Sequence, residues 1–94
     1  MLDLVKKALR IITNYYDDEL NQLINAALID LGFGGASETV LISTTNDAVI
    51  RQAIITYCKM NFGLPEDYDR LKRSYDEQKA QLGMATHYTE WGEA

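Results

Sequence analysis

Apolar residues recur along this chain at spacings of three and four, broken by short polar and glycine-bearing joints, and the pattern predicts helices. A first helix spans about Leu2 to Arg10, with Leu2, Val5 and Leu9 on one side and Ile12 just beyond. Asp3 near its start and Lys6, Lys7 and Arg10 toward its end match the helix dipole. A helix this short needs tertiary support. After the joint Thr13-Asn14-Tyr15-Tyr16, the acids Asp17, Asp18 and Glu19 supply cap and first-turn charge for a second helix. Leu20, Leu23, Ile24, Ala27, Leu28 and Leu31 form its apolar stripe, and Gly32 takes the usual C′ position.

Residues 33–46 (FGGASETVLISTTN) read as a long loop, from two glycines and a cluster of Ser and Thr. Thr39-Val40-Leu41-Ile42 is β-branched enough for a short strand, but a lone strand has no partner in this chain and would have to pair between subunits, so a packed loop is preferred. A third helix follows with Asn46 as its expected N-cap and Asp47 next. Val49, Ile50, Ala53, Ile54, Tyr57, Cys58 and Met60 cover about half its circumference. Ile55 and Phe62 extend that arc, leaving Gln52, Thr56 and Lys59 polar. Gly63 closes the third helix and Pro65 is expected at N1 of a fourth. Leu64, Tyr68, Leu71, Tyr75 and Leu82 make one narrow stripe on it. Elsewhere its charges pair at i,i+4: Glu66 with Arg70, Asp69 with Arg73, Lys72 with Asp76, and Arg73 with Glu77. From Gly83 the periodicity stops.

The reading is therefore all-α: a bundle of about four helices over residues 1–82, with a long loop between the second and third, and a flexible tail over 83–94. Six glycines and one proline in 94 residues leave few breakers, in keeping with helix. A single domain of this length buries only about 60–65% of its unfolded surface, so partners would be a natural supplement to its core. The third helix sharpens that expectation, because so broad an apolar arc wants several neighbours. Ile55 and Phe62 become candidate subunit contacts.

A formal charge of −5 changes the functional picture. Residues 1–46 hold three basic and six acidic side chains, and residues 47–94 hold six and eight, so neither half offers a basic stripe. Non-specific nucleic-acid binding is disfavoured. Cys58 is the only cysteine, which excludes a disulfide framework and places a small hydrophobe on the third helix. The start, MLDLVKKALR, lacks a signal-peptide h-region, and no run approaches the ~18 apolar residues of a membrane span. A reducing cytoplasm is the expected setting.

Catalytic chemistry finds no foothold. His87 is the only histidine, so a zinc site would rest on carboxylates beside it. Ser37, Ser43 and Ser74 lack nucleophile-elbow or oxyanion signatures. Gly34-Gly35 is too short for a phosphate loop. Asp17-Asp18-Glu19 is already explained as a helix start. No catalytic, cofactor or metal residue is assigned, and no enzyme activity is expected. Tyr15 and Tyr16 read most simply as core or staple residues. Tyr88 and Trp91, in an otherwise polar tail, either dock into a partner, fold back on the domain or stay solvated. Docking leads, because such residues are common interface anchors.

The segments LVKKALRI, YYDDELNQLINAALIDL, DAVIRQAIITYCKMNFG and PEDYDRLKRSYDEQKAQL together resemble the small head-tail connector proteins of long-tailed phages and prophages. These are the head-completion or adaptor proteins also described as DNA-packaging proteins. The resemblance covers roughly residues 1–82. It implies an all-α subunit that forms a ring beneath the portal protein, extends the DNA channel without binding DNA specifically, and receives the next neck or tail component. It also implies a virion location, assembly in the host cytoplasm, and no catalytic residues. A small helical protein-binding or regulatory module acting as monomer or dimer is the alternative.

Overall fold

A computed structural model describes residues 1–63 and 65–84. Among these residues there are five helices and no strand: α1 (Leu2–Leu9), α2 (Asp17–Asp30), α3 (Glu38–Thr45), α4 (Ala48–Asn61) and α5 (Tyr68–Met84). The all-α class is as expected, with one helix more.

The additional helix is α3, so residues 39–42 form neither loop nor strand. Its β-branched run carries low helix propensity, which is why the segment read as extended or irregular. Three contacts overcome that preference. The Ser37 hydroxyl accepts from the Val40 N–H at 3.2 Å as an N-cap. Val40 and Leu41 pack on the core. Thr44 is fully buried, and its hydroxyl donates to the Val40 carbonyl at 2.7 Å, so no polar group is left unsatisfied there.

Asn46 ends α3 instead of starting α4. The cap of α4 is Asp47, whose Oδ1 accepts from the N–H groups of Val49 at 3.0 Å and Ile50 at 3.1 Å. Across the same corner, the Arg51 guanidinium donates to the Thr45 carbonyl at 3.0 Å, serving one of the acceptors that a helix end leaves open.

Helix α4 is central and packs against each of the other four. Ile50, Ala53, Ile54, Ile55, Thr56, Cys58 and Met60 are all buried on it. Thr56, expected in the polar sector, is accommodated because its hydroxyl donates back to the Gln52 carbonyl at 2.9 Å. Val49, expected on the apolar arc, is exposed. With α3 present, the chain supplies four neighbours for α4, and its apolar breadth is largely covered within one subunit.

Two C-termini close with paired backbone bonds. At the end of α2, Gly32 at φ 94° donates to the Ile29 carbonyl and Phe33 to that of Leu28. Helix α1 ends with the same pair, Arg10 to Lys7 and Ile11 to Lys6, yet the left-handed residue is Arg10 at φ 60°. A non-glycine residue there costs about 1 kcal/mol.

Pro65 precedes α5 without entering it; the helix starts at Tyr68, and the Asp67 carbonyl accepts from the Leu71 N–H at 3.0 Å. Leu71, Tyr75 and Leu82 face the core as expected, whereas Tyr68 is exposed. Leu64 lies outside the described residues. Of the expected i,i+4 pairs, Lys72–Asp76 forms at 3.3 Å, while Arg70 turns to Asp67 instead of Glu66. Among the described residues Arg73 pairs with neither Asp69 nor Glu77. The helix also runs on through Gly83 to Met84, slightly past the expected boundary.

A polar clamp joins α2 to α5. The Tyr75 hydroxyl donates to Asp30 Oδ2 at 2.5 Å, and Lys79 Nζ approaches the same oxygen at 3.2 Å. Asp30 sits at the negative end of α2, an unfavourable place for a carboxylate that Lys79 offsets. The Tyr75 hydrogen bond, followed by Lys79, holds the Asp30 carboxyl below its ordinary range, against a smaller opposing effect of burial. Burial and the hydrogen bond to Asp30 push the Tyr75 phenol up. Tyr57, in edge contact with Tyr75 at 5.4 Å, is raised chiefly by burial.

Candidate interaction surface

The loop between α1 and α2 is held by its own backbone and side chains. Lys6 Nζ donates to Asn14 Oδ1 at 2.8 Å and pairs with Asp17 at 2.9 Å, so one cation ties the loop to both flanking helices. The Tyr15 N–H donates to the Thr13 hydroxyl at 3.2 Å, and the Asp17 N–H to the Asn14 carbonyl at 3.2 Å. Despite this anchoring, Ile12 is 99% exposed and Tyr15 77%. Tyr15 meets Tyr16 edge-on at 4.9 Å, and Tyr16 meets Phe62 edge-on at 5.3 Å. The loop thus presents a fixed aromatic ladder backed by the end of α4.

Tyr15 is therefore a surface residue and not a core residue, and Tyr16 is only partly sheltered. The tight close of α1 at Arg10 turns the chain so that Ile12 points away from the stripe formed by Val5 and Leu9. Ile12 continues the spacing of Leu2, Val5 and Leu9, so periodicity alone pointed it toward the core, and the turn at Arg10 takes it off that line. Ile29, Ile42 and Val49 are further exposed apolar side chains.

Beside the ladder lies a groove of about 450 Å³ between the end of α1, the outer face of α4 and the first half of α5. Its lining is mostly polar, with Arg10, Lys59 and Arg70 among the residues on it and Leu9, Phe62 and Leu71 contributing the apolar part. Arg70 is held by Asp67, which also lines the groove. Among the described residues no carboxylate pairs with Arg10 or Lys59. Gln78 lines the groove too, and among the described residues its buried side-chain oxygen has no hydrogen-bond partner.

Of the four residues expected at an interface, two are among the described residues. Ile55 is 9% exposed and belongs to the core. Phe62 is half-buried behind Tyr16. Tyr88 and Trp91 lie outside the described residues, as does His87. Cys58 is fully buried, which pushes its thiol up to about 12 and removes it from nucleophilic chemistry at neutral pH. Asp17, Asp18 and Glu19 begin α2, with Asp17 joined to Lys6. Among the described residues no group of three or more His, Cys, Asp or Glu side chains is placed to hold a metal ion. No helix among them is long and apolar enough to cross a membrane.

The arrangement offers surfaces for contact, with an exposed apolar loop beside a cationic groove. Compared with known proteins, residues 1–89 match the family model described as phage connector protein. No curated protein and no solved structure matches the chain.

Proposed function

This chain belongs to the phage connector protein family, and from that membership we propose that it is a ring-forming adaptor at the phage neck. In this reading identical subunits assemble beneath the portal protein, extend the channel through which DNA passes, and present a platform to the next neck or tail component. Its role is structural, with no enzymatic step. Assembly takes place in the host cytoplasm and the product resides in the virion. The observation that carries this reading is the family match, which extends from the first residue to residue 89.

Physical features support it. A loop tied by Lys6 and bearing exposed Ile12 and Tyr15 is suited to heterologous contact, in which one patch meets a different patch on the next copy and the repeated rotation closes a ring. The net charge of −5 suits a channel component that must let DNA slide past without adhering. Covering of α4 inside the subunit fits a protomer that folds alone and assembles when a portal presents a template.

Mixing the purified chain with its cognate portal protein tests the proposal by size-exclusion chromatography with light scattering and negative-stain imaging. A complex of portal with a co-axial ring of this chain is expected. A chain that stays free of portal, or that forms only a closed dimer with no portal affinity, contradicts the ring and favours a small regulatory module.

A further inference from the structure

The two ends of α1 carry complementary surfaces. At its start, two adjoining depressions share Met1 and Leu41. The more enclosed one, about 370 Å³, has Leu2, Ile24 and Ala36 in its wall. The shallower one, about 310 Å³, includes Ile42, which is 58% exposed. Apolar atoms make up most of both linings, so an apolar side chain displaces loosely held water from them at a gain. At the other end of α1 the loop holds out two such side chains, Ile12 and Tyr15, on a backbone tied down by Lys6. Charge follows the same polarity. Lys7 and Arg10 are exposed beside the loop, while exposed Asp3 adjoins Leu2 and exposed Glu38 precedes Leu41 by one turn. Among the described residues no ion pair engages any of these four. In a chain with 14 acids and 9 bases, copies repel one another unless such unlike ends are matched.

We propose that Ile12 and Tyr15 of one subunit seat in the paired depressions around Met1 and Leu41 of the next copy, with Lys7 and Arg10 toward that copy's Asp3 and Glu38. The inference rests on the ring reading and names the contact that reading needs. A chain cannot fill its own depressions, because the eight residues of α1 hold the two ends about 12 Å apart. Each copy therefore keeps one free end in either direction, which is the heterologous contact that propagates around a ring. Its size fits assembly on a template. A buried tyrosine removes about 150–250 Å² from water, so one such contact falls short of the roughly 1,000 Å² of a stable pairwise interface. Free copies then stay apart, and a portal that lines them up makes the contacts add.

Cysteine cross-linking reads the contact directly, and the buried Cys58 thiol stays out of it. Ile12→Cys and Ile42→Cys change exposed side chains, so the fold is kept, as circular dichroism checks. The full-length chain carrying both is treated with a short bismaleimide, once alone at high concentration and once on the portal protein. Expected is a series of dimer, trimer and higher species, several-fold above the collisional background given by Ile12→Cys combined with Lys72→Cys. The two single variants should cross-link when mixed, as dimers only, and neither should cross-link by itself. Ile12→Asp should abolish rings on the portal with circular dichroism unchanged. Cross-linking of Ile12→Cys to itself overturns the proposal in favour of a closed two-fold dimer. Absence of the series in both conditions overturns it as well; if rings are imaged on the portal nonetheless, the ring reading stands and its contact lies elsewhere. A series formed without any portal binding upholds this contact and refutes the portal reading.

Discussion

Replacing Tyr75 by Phe removes one hydroxyl from the clamp between α2 and α5 and leaves the ring in place. The lost bond runs to a carboxylate, a class worth about 1.5–3 kcal/mol when well sheltered. The Asp30 side chain is 41% exposed, so water replaces much of what is lost, and about 1 kcal/mol is expected. For a domain near this length that is a drop of roughly 4–8 °C in Tm. The pH dependence has a defined sign. The folded Asp30 carboxyl is depressed relative to its unfolded value, so its contribution is complete above the unfolded pKa and is lost as pH falls through the folded one. Urea unfolding of both proteins near neutral pH and again at about pH 2 should show the Tyr75→Phe deficit shrinking in acid. A double-mutant cycle with Asp30→Asn isolates the pairwise energy. Equal stability of Tyr75→Phe and the parent at neutral pH would refute the reasoning. A deficit identical at both pH values would show that the hydroxyl does not bond an ionised carboxylate.

Three further outcomes follow from the local geometry. Ser37→Ala removes the cap of α3 and should lower stability by about 1 kcal/mol, with hydrogen exchange accelerated across residues 38–45. Arg10→Gly relieves a left-handed φ of 60° and should raise the urea midpoint by the equivalent of up to about 1 kcal/mol; a lower midpoint would show that the arginine side chain matters more than the strain. Cys58 should resist a thiol reagent in the native state and react only as fast as the chain opens, because its thiol is buried and raised to about 12; prompt labelling of folded protein contradicts this.

The helices that hold the bundle were legible where periodicity and end signals agreed. For α2, the acidic first turn from Asp17 and Gly32 at its end bracket a clear stripe, and the structure keeps both, although the N-cap is Tyr16, with no side-chain cap bond, and not one of the acids. For α3 they disagreed: the Ser37-Glu38 start was present, but Val40, Ile42, Thr44 and Thr45 are β-branched, and the cap, core packing and the Thr44 hydroxyl bond together resolve the conflict. Missing α3 had a consequence for function, because it left α4 short of a neighbour and made Ile55 look available. Arg10 ends α1 in a conformation usually signalled by glycine, so the turn that exposes Ile12 had no marker in the sequence. The groove was equally hidden, since Arg10, Lys59 and Gln78 come from three helices whose docking no local pattern specifies. Family membership was legible from the order and texture of the helices, and the match over residues 1–89 establishes it.

The proposed joining of head to tail by this connector is tested most directly by disrupting its gene in the phage or inducible prophage that encodes it. Electron microscopy of the lysate should show separate heads and tails with few joined particles, and complementation in trans should restore joining. Intact, infectious particles in the absence of the protein would contradict the account.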